Sequence, residues 1–344
     1  MPIISQIVTF SGKIHQGEDL SAIANFTIDG TPYLAVGSDE SKKQLQLLKQ
    51  TADQVYTIDQ NLEIELPTPD DGNEIDIESI AFDPDNTQLY IIGSHSQKRQ
   101  TVKIDKKTAA ENRQRLADAN IAPETDRNRI FQVTLKPKTG KVKGEIKTVD
   151  YLKTLFAQDD YLKRFIDIPS KENGIDIEGL AYQKGQLFLG FRGPILRGNY
   201  VPVMVIDQDA FDRTKALKTK DLKAKDPKPY ELRFVQLNGG AIRDMTAVDD
   251  GFLIIGGPMG DAPGPYNLYF WDGTDMVYGK DRLPPMPPAL IQLENIQPPL
   301  GDDGTPGKPE GITVLEETIT GYKALIIYDG IKGGGPQLWH IPKP

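Results

Sequence analysis

Four carboxylates occupy one position in a phrase the chain repeats, and brought together they would make a site for a hard cation. They are Glu78 in Asp76-Ile77-Glu78-Ser79-Ile80-Ala81, Glu178 in Asp176-Ile177-Glu178-Gly179-Leu180-Ala181, Asp244 in Ile242-Arg243-Asp244-Met245 and Glu310 in Pro309-Glu310-Gly311-Ile312. Like charges held close raise one another's pKa or demand a counter-charge. A divalent cation is one remedy, since Ca²⁺ takes ~6–8 oxygen ligands from carboxylates, carbonyls and water. Pairing with Arg192, Arg197 or Arg243 is another. A third use is structural: each acid accepts backbone N–H bonds from the next repeat. Repetition speaks for the structural use, because every repeat has the same need. The full match of only two copies, at Glu78 and Glu178, speaks for a specialised pair.

Other chemistry is sparse. His95, one of three histidines, lies between Ser94 and Ser96. It is a candidate general base near neutral pH, or equally a structural hydrogen-bonder. Arg192 and Arg197 share one loop and suit a carboxylate or phosphate held by two hydrogen bonds; Asp176 and Glu178 are their alternative partners. The chain lacks a Gly-x-Ser-x-Gly motif, a His-Glu-x-x-His motif and a Walker loop. With no cysteine there is neither a disulfide framework nor a thiolate ligand.

The elements that must position these groups are short strands. After each acidic phrase comes a second β-rich run: Leu89-Tyr90-Ile91-Ile92-Gly93, Gln186-Leu187-Phe188-Leu189-Gly190, Phe252-Leu253-Ile254-Ile255-Gly256 and Ala324-Leu325-Ile326-Ile327-Tyr328. A first copy, Leu20-Ser21-Ala22-Ile23 with Tyr33-Leu34-Ala35-Val36-Gly37, carries Ser21 in place of the acid. The five anchors, Ser21, Glu78, Glu178, Asp244 and Glu310, are spaced 57, 100, 66 and 66 residues apart. Further strand text bounded by Gly, Pro and Asn follows each copy. Four strands per repeat in a closed array define a β-propeller blade. The fold expected is all-β: one domain over residues 1–344, with five four-stranded blades and short helical insertions. The orphan strand Ile4–Phe10 would complete the last blade and remove a free edge. Six blades are the alternative, with one hidden in the long 78-to-178 interval.

Residues 107–118 are rich in helix formers within a basic loop, and residues 151–165 have apolar spacing that suits a short amphipathic helix. The run Thr214–Lys228 reads as a solvated lysine-rich loop between the third and fourth strands of blade three. Antiparallel connectivity puts the loop before strand one and the loop after strand two on one face. That mouth would gather the acids with Ser38, Asp39, Ser94, His95, Ser96, Arg192, Arg197, Met259, Asp261, Asp329 and Lys332.

The 344 residues are 38% hydrophobic and carry a net charge of −9, with a pI near 5.0. An acidic chain is a poor match to nucleic acid, whose binding needs phosphate neutralisation. No apolar stretch approaches the ~18 residues of a membrane helix, and the N-terminus lacks a signal-peptide pattern. The expected location is cytoplasmic.

At Asp176-Ile177-Glu178-Gly179-Leu180-Ala181 and Phe188-Leu189-Gly190-Phe191-Arg192-Gly193-Pro194 the chain resembles a bacterial family carried under a domain-of-unknown-function label. More loosely, its inner strands are similar to the esterase-like propellers grouped with certain phytases. That resemblance implies a Ca²⁺-assisted phosphoesterase or lactonase, with Glu78, Glu178, Asp244 and Glu310 as ligands; Ser21 departs from the pattern. Two functions are therefore carried forward. One is a metal-assisted hydrolase of a small anionic ester, with Arg192 and Arg197 holding the anion and His95 moving the proton. The other is a non-enzymatic propeller that binds a small ligand or a protein.

Overall fold

The computed structural model describes residues 3–40, 43–68, 74–104, 106–122, 124–211, 229–260 and 262–344. Its strands form five sheets in a ring. The innermost strands are Leu20–Ile28, Ile77–Asp83, Asp176–Gln183, Ala241–Val248 and Lys308–Glu317. Each packs on the next, and the fifth returns to the first. The fold is therefore a five-bladed propeller. The long interval after Glu78 holds loops and two helices rather than a sixth blade. Helix α1 (Ala109–Ala117) starts with a capping box between Thr108 and Glu111 and buries none of its side chains. Helix α2 (Leu152–Gln158) buries Leu152, Leu155 and Phe156 against the propeller. The lysine-rich run Thr214–Lys228 and the mouth position Asp261 lie outside the described residues.

The N-terminal segment closes the ring in two steps. Ile3–Ile7 pairs antiparallel with Gln337–Pro342 and forms the outer strand of blade five. Thr9–Ser11 then pairs parallel with Val55–Ile58 on the outside of blade one. Between them Val8 is buried and donates its N–H to the Pro336 carbonyl, 3.1 Å away. The single strand expected over residues 4–10 is thus two strands, stitching neighbouring blades together.

The hydrophobic core is distributed between blades. Among the described residues, five apolar clusters fill the five seams, such as Ala22, Leu45, Ile77 and Leu89 between blades one and two. Glycine permits the closest approach. A Cβ on Gly190 would come within 2.8 Å of the Ile242 side chain, and one on Gly179 within 2.9 Å, so blades three and four meet where no larger residue fits.

One irregularity recurs in every blade and sets up the site. The ladder from inner to second strand skips one residue of the inner strand: Ser21, Glu78, Glu178, Arg243 and Glu310. A bulged residue leaves the pairing and re-aims its side chain. Blade three has a second shift, at Arg192 on the second strand.

Candidate functional site

The bulges correct the reading of blade four. The residue equivalent to Glu78, Glu178 and Glu310 is Arg243, not Asp244. The ring at the mouth therefore holds three glutamates, one arginine and Ser21. Asp244 lies one position further along, level with Ala22, Ser79, Gly179 and Gly311, and binds across the blades. One oxygen accepts the Ser79 hydroxyl at 2.7 Å and the other the Ile312 N–H at 2.7 Å. Ser79 Oγ in turn accepts the Leu180 N–H at 3.1 Å. Blades two, three, four and five thus meet through one buried carboxylate. Replacing Asp244 with asparagine leaves one of its donors unsatisfied and is expected to cost about 1–3 kcal/mol. Denaturant unfolding checks this, and cation binding in the same variant should be unchanged.

At the mouth, two arginines share three carboxylates. Arg192 Nε donates to Asp176 Oδ2 at 2.8 Å, and its terminal nitrogens pair with Asp176 and Glu178. Arg243 Nε lies 3.0 Å from Glu178 Oε2, and its other arm holds Glu310. Arg243, Asp176, Glu178 and Glu310 are all buried. Both guanidiniums are spent on the protein's own acids, so neither is free for an external anion. Their charge does not fully offset desolvation. Burial still pushes the carboxyls of Asp176, Glu178 and Glu310 up, with the arginines pulling the other way.

Glu78 is left over. Its side chain is nine-tenths buried, and no hydrogen bond or ion pair reaches it among the described residues. Its charged neighbours are Asp76, Glu178, Asp176 and Asp39, so burial first and these acids second hold its carboxyl well above the usual range. Asp176 Oδ1 is likewise buried without a partner. One oxygen from each of Glu78, Asp176 and Glu178 lies within 4.8 Å of the other two. Ca²⁺–oxygen bonds of roughly 2.3–2.6 Å allow ligands that far apart, so the donor set fits a hard divalent cation with coordination positions left for water and ligand. Asp176, read in the sequence only as a partner for arginine, thus joins two of the four expected ligands. Of the other two, Glu310 is held by Arg243, and Asp244 belongs to the interblade bond.

Above this floor opens a cavity of about 1080 Å³. Residues 97–102 with Arg115 and Leu116, residues 169–172, and residues 305–308 line it, whereas helix α2 does not reach it. Asp39, Ser96, Arg192 and Asp329 reach it, while Ser38, Ser94, His95, Arg197, Met259 and Lys332 are not among its lining residues. Arg197 is exposed on the loop between Leu196 and Tyr200. His95 turns away: Nδ1 lies 2.8 Å from the Gly93 carbonyl and the ring packs edge-on against Phe156. Burial pushes its pKa down to about 4. His95→Asn, which keeps a residue tolerant of the local φ of 56°, is therefore expected to leave calcium affinity unchanged in calorimetry.

Arg127 was not singled out in the sequence, yet it braces the cavity wall. Fully buried, it pairs with Asp76, Glu124 and, at 2.7 Å, with Glu74. Two of its partners, Glu74 and Asp76, lie 53 and 51 residues away, so the spacing gave little signal. Asp39, expected at the mouth, lines the cavity. Desolvation, reinforced by Glu310 and Asp76, pushes its carboxyl up to about 8.

The raised carboxyls set a pH dependence. A group whose folded pKa exceeds its unfolded value contributes stability that is fully present below the unfolded pKa and lost as pH rises through the folded one. For Asp39 that window runs from 3.8 to about 8. The metal-free protein is expected to melt lower near pH ~9 than near pH ~6, and bound calcium should narrow the gap. Thermal scans with and without chelator at both values check this.

Fold and site together define a five-bladed β-propeller with an acidic, arginine-braced mouth. The chain belongs to the family described as "Protein of unknown function (DUF3616)", whose model matches residues 19–334. No curated protein matches it significantly. Among solved structures it is similar to the exo-β-1,3-galactanase of Phanerochaete chrysosporium, with a TM-score of 0.45 at 10% identity over 99% of this chain. The chain spans 64% of that enzyme's length. It is also similar to a GH43 β-1,3-galactosidase solved with galactodeoxynojirimycin (TM-score 0.44, 10% identity, 94% of this chain and 90% of that one). A third is Sqt1 of Saccharomyces cerevisiae (TM-score 0.36, 8% identity, 98% and 100%). Likeness at these scores carries no argument about function. No helix among the described residues is long and apolar enough to cross a membrane.

Proposed function

We propose that the mouth is a Ca²⁺ site held by Glu78, Asp176 and Glu178, and that the protein is a metal-assisted hydrolase of a small ester, a phosphoester or lactone. The observation that carries the cation is Glu78, a buried carboxyl without a partner, facing two further acids. A bound Ca²⁺ would polarise the ester oxygen and lower the pKa of a coordinated water. The chain's own residues supply the rest. Arg192 and Arg243 fix the orientation of Asp176 and Glu178. Asp39, in the cavity and protonated up to about 8, is suited to exchange a proton there. An anionic substrate would meet the cation rather than Arg192 or Arg197, because the first is saturated and the second lies outside the cavity. The second reading, a propeller that only binds, is favoured by the lack of any histidine lining the cavity.

The test is metal content of the purified protein by mass spectrometry, with melting curves with and without chelator and a screen of phosphoesters and lactones. Near-stoichiometric calcium, a chelator-dependent loss of stability and turnover are expected. Calcium without turnover supports the binding reading, and absence of calcium removes both the site and the hydrolase.

A further inference from the structure

The cavity is built of two materials, and only the floor is explained by a cation. Besides the acids, the cavity is lined by Val102 and Leu116 from the blade-two insertion, by Pro263 and Pro265 of blade four, and by Pro298 and Pro306 of the approach to blade five. Leu116 is the only leucine of α1, a helix that buries none of its residues. It remains 62% exposed, and Val102 39%, so neither serves the core. Proline fixes its own φ, and a wall of prolines loses little freedom when a ligand settles on it. The segment that carries Val102 and Leu116 is braced: Arg99 donates to the Asp118 carbonyl at 2.9 Å and pairs with Glu172, and Arg115 donates to the Thr101 carbonyl at 2.5 Å. A cavity of about 1080 Å³ also far exceeds the share of space of a cation and its waters, ~30 Å³ per water; it suits an organic ligand.

We infer that the site takes an ester with an apolar body, its oxygen-rich end on the cation at the floor and its hydrocarbon part between Leu116, Val102 and the proline wall. The inference rests on the cation reading above. Compact polyanions gain nothing from this wall, whereas each hydrocarbon unit does.

The experiment is calorimetric titration of the calcium-loaded protein with a series from methyl- to hexylphosphonate. These compounds keep an anionic oxygen head, vary only in chain length and are not esters, so none is turned over. Affinity is expected to rise about two- to fourfold per added methylene, as burial of CH₂ groups dictates. In the Val102→Asp/Leu116→Glu double variant the slope should flatten while calcium affinity stays as in the parent protein. Affinities independent of chain length, with calcium bound, would overturn the inference and leave the cation site standing. A slope that survives in the double variant would also overturn it. Failure of the parent protein to take up calcium in the same instrument would remove the cation reading and this inference together.

Discussion

Replacing Glu78 with glutamine is expected to abolish calcium uptake and, at the same time, to make the metal-free protein more stable. The carboxyl is nine-tenths buried among acids at the cavity floor, and both nearby arginines are paired with other acids. Burial and the neighbouring acids hold its pKa well above the unfolded value, so its charged form is disfavoured in the fold. An amide brings no charge to this position. The gain is expected to be about 1–3 kcal/mol, the scale of an uncompensated buried polar group, or ~1–4 °C in melting temperature for a chain of this size. It should grow as pH rises, since the native carboxyl becomes harder to keep neutral. A residue that destabilises its own fold is expected at a binding site rather than in a structural one. Thermal melts of both proteins in chelator, over a range of pH, measure the effect. A loss of stability in the variant would mean that Glu78 has a structural partner.

Replacing Arg243 with methionine is expected to have the opposite and larger consequence. Arg243 is the only member of the bulge ring with positive charge, and it serves Glu178 and Glu310 at once. All three are buried. Breaking a buried ion pair by removing one partner costs about 3–5 kcal/mol, which corresponds to ~4–7 °C here. The stranded carboxyls can escape by taking up protons. The deficit should therefore shrink in acid and widen as pH rises. Adding Glu178→Gln and Glu310→Gln should recover most of the lost stability, the non-additivity that marks an interacting network.

The architecture was legible because a blade has a phrase: an Ile-Ala or Leu-Ala core recurs in three inner strands, and an aliphatic run recurs in all five second strands. Closure by the N-terminal strand was legible for the same reason, since blade five lacked an outer strand. Register at the site was not. The acid of blade four was aligned to the acids elsewhere, when the aliphatic residue is the conserved feature of the ladder. Ile23, Ile80, Leu180, Met245 and Ile312 fall at one level, and counting back two from Met245 reaches Arg243. Charge type misled where packing would have guided. Ion pairs were partly legible, with Asp176 and Glu178 foreseen as alternatives for Arg192. Arg127 and the free state of Glu78 were not, because both depend on groups brought in from distant loops. His95 misled through its neighbours: two serines suggested a polar mouth, whereas a left-handed backbone at φ 56° turns the ring inward onto Phe156.

The most direct measurement is a calcium titration by calorimetry of the metal-free protein beside its Glu78→Gln variant. One saturable site in the parent and none in the variant is the expected result, with Asp244→Asn binding as the parent does. No heat in the parent, or equal binding in parent and Glu78→Gln, would contradict the cation site and return these carboxylates to the packing of the ring.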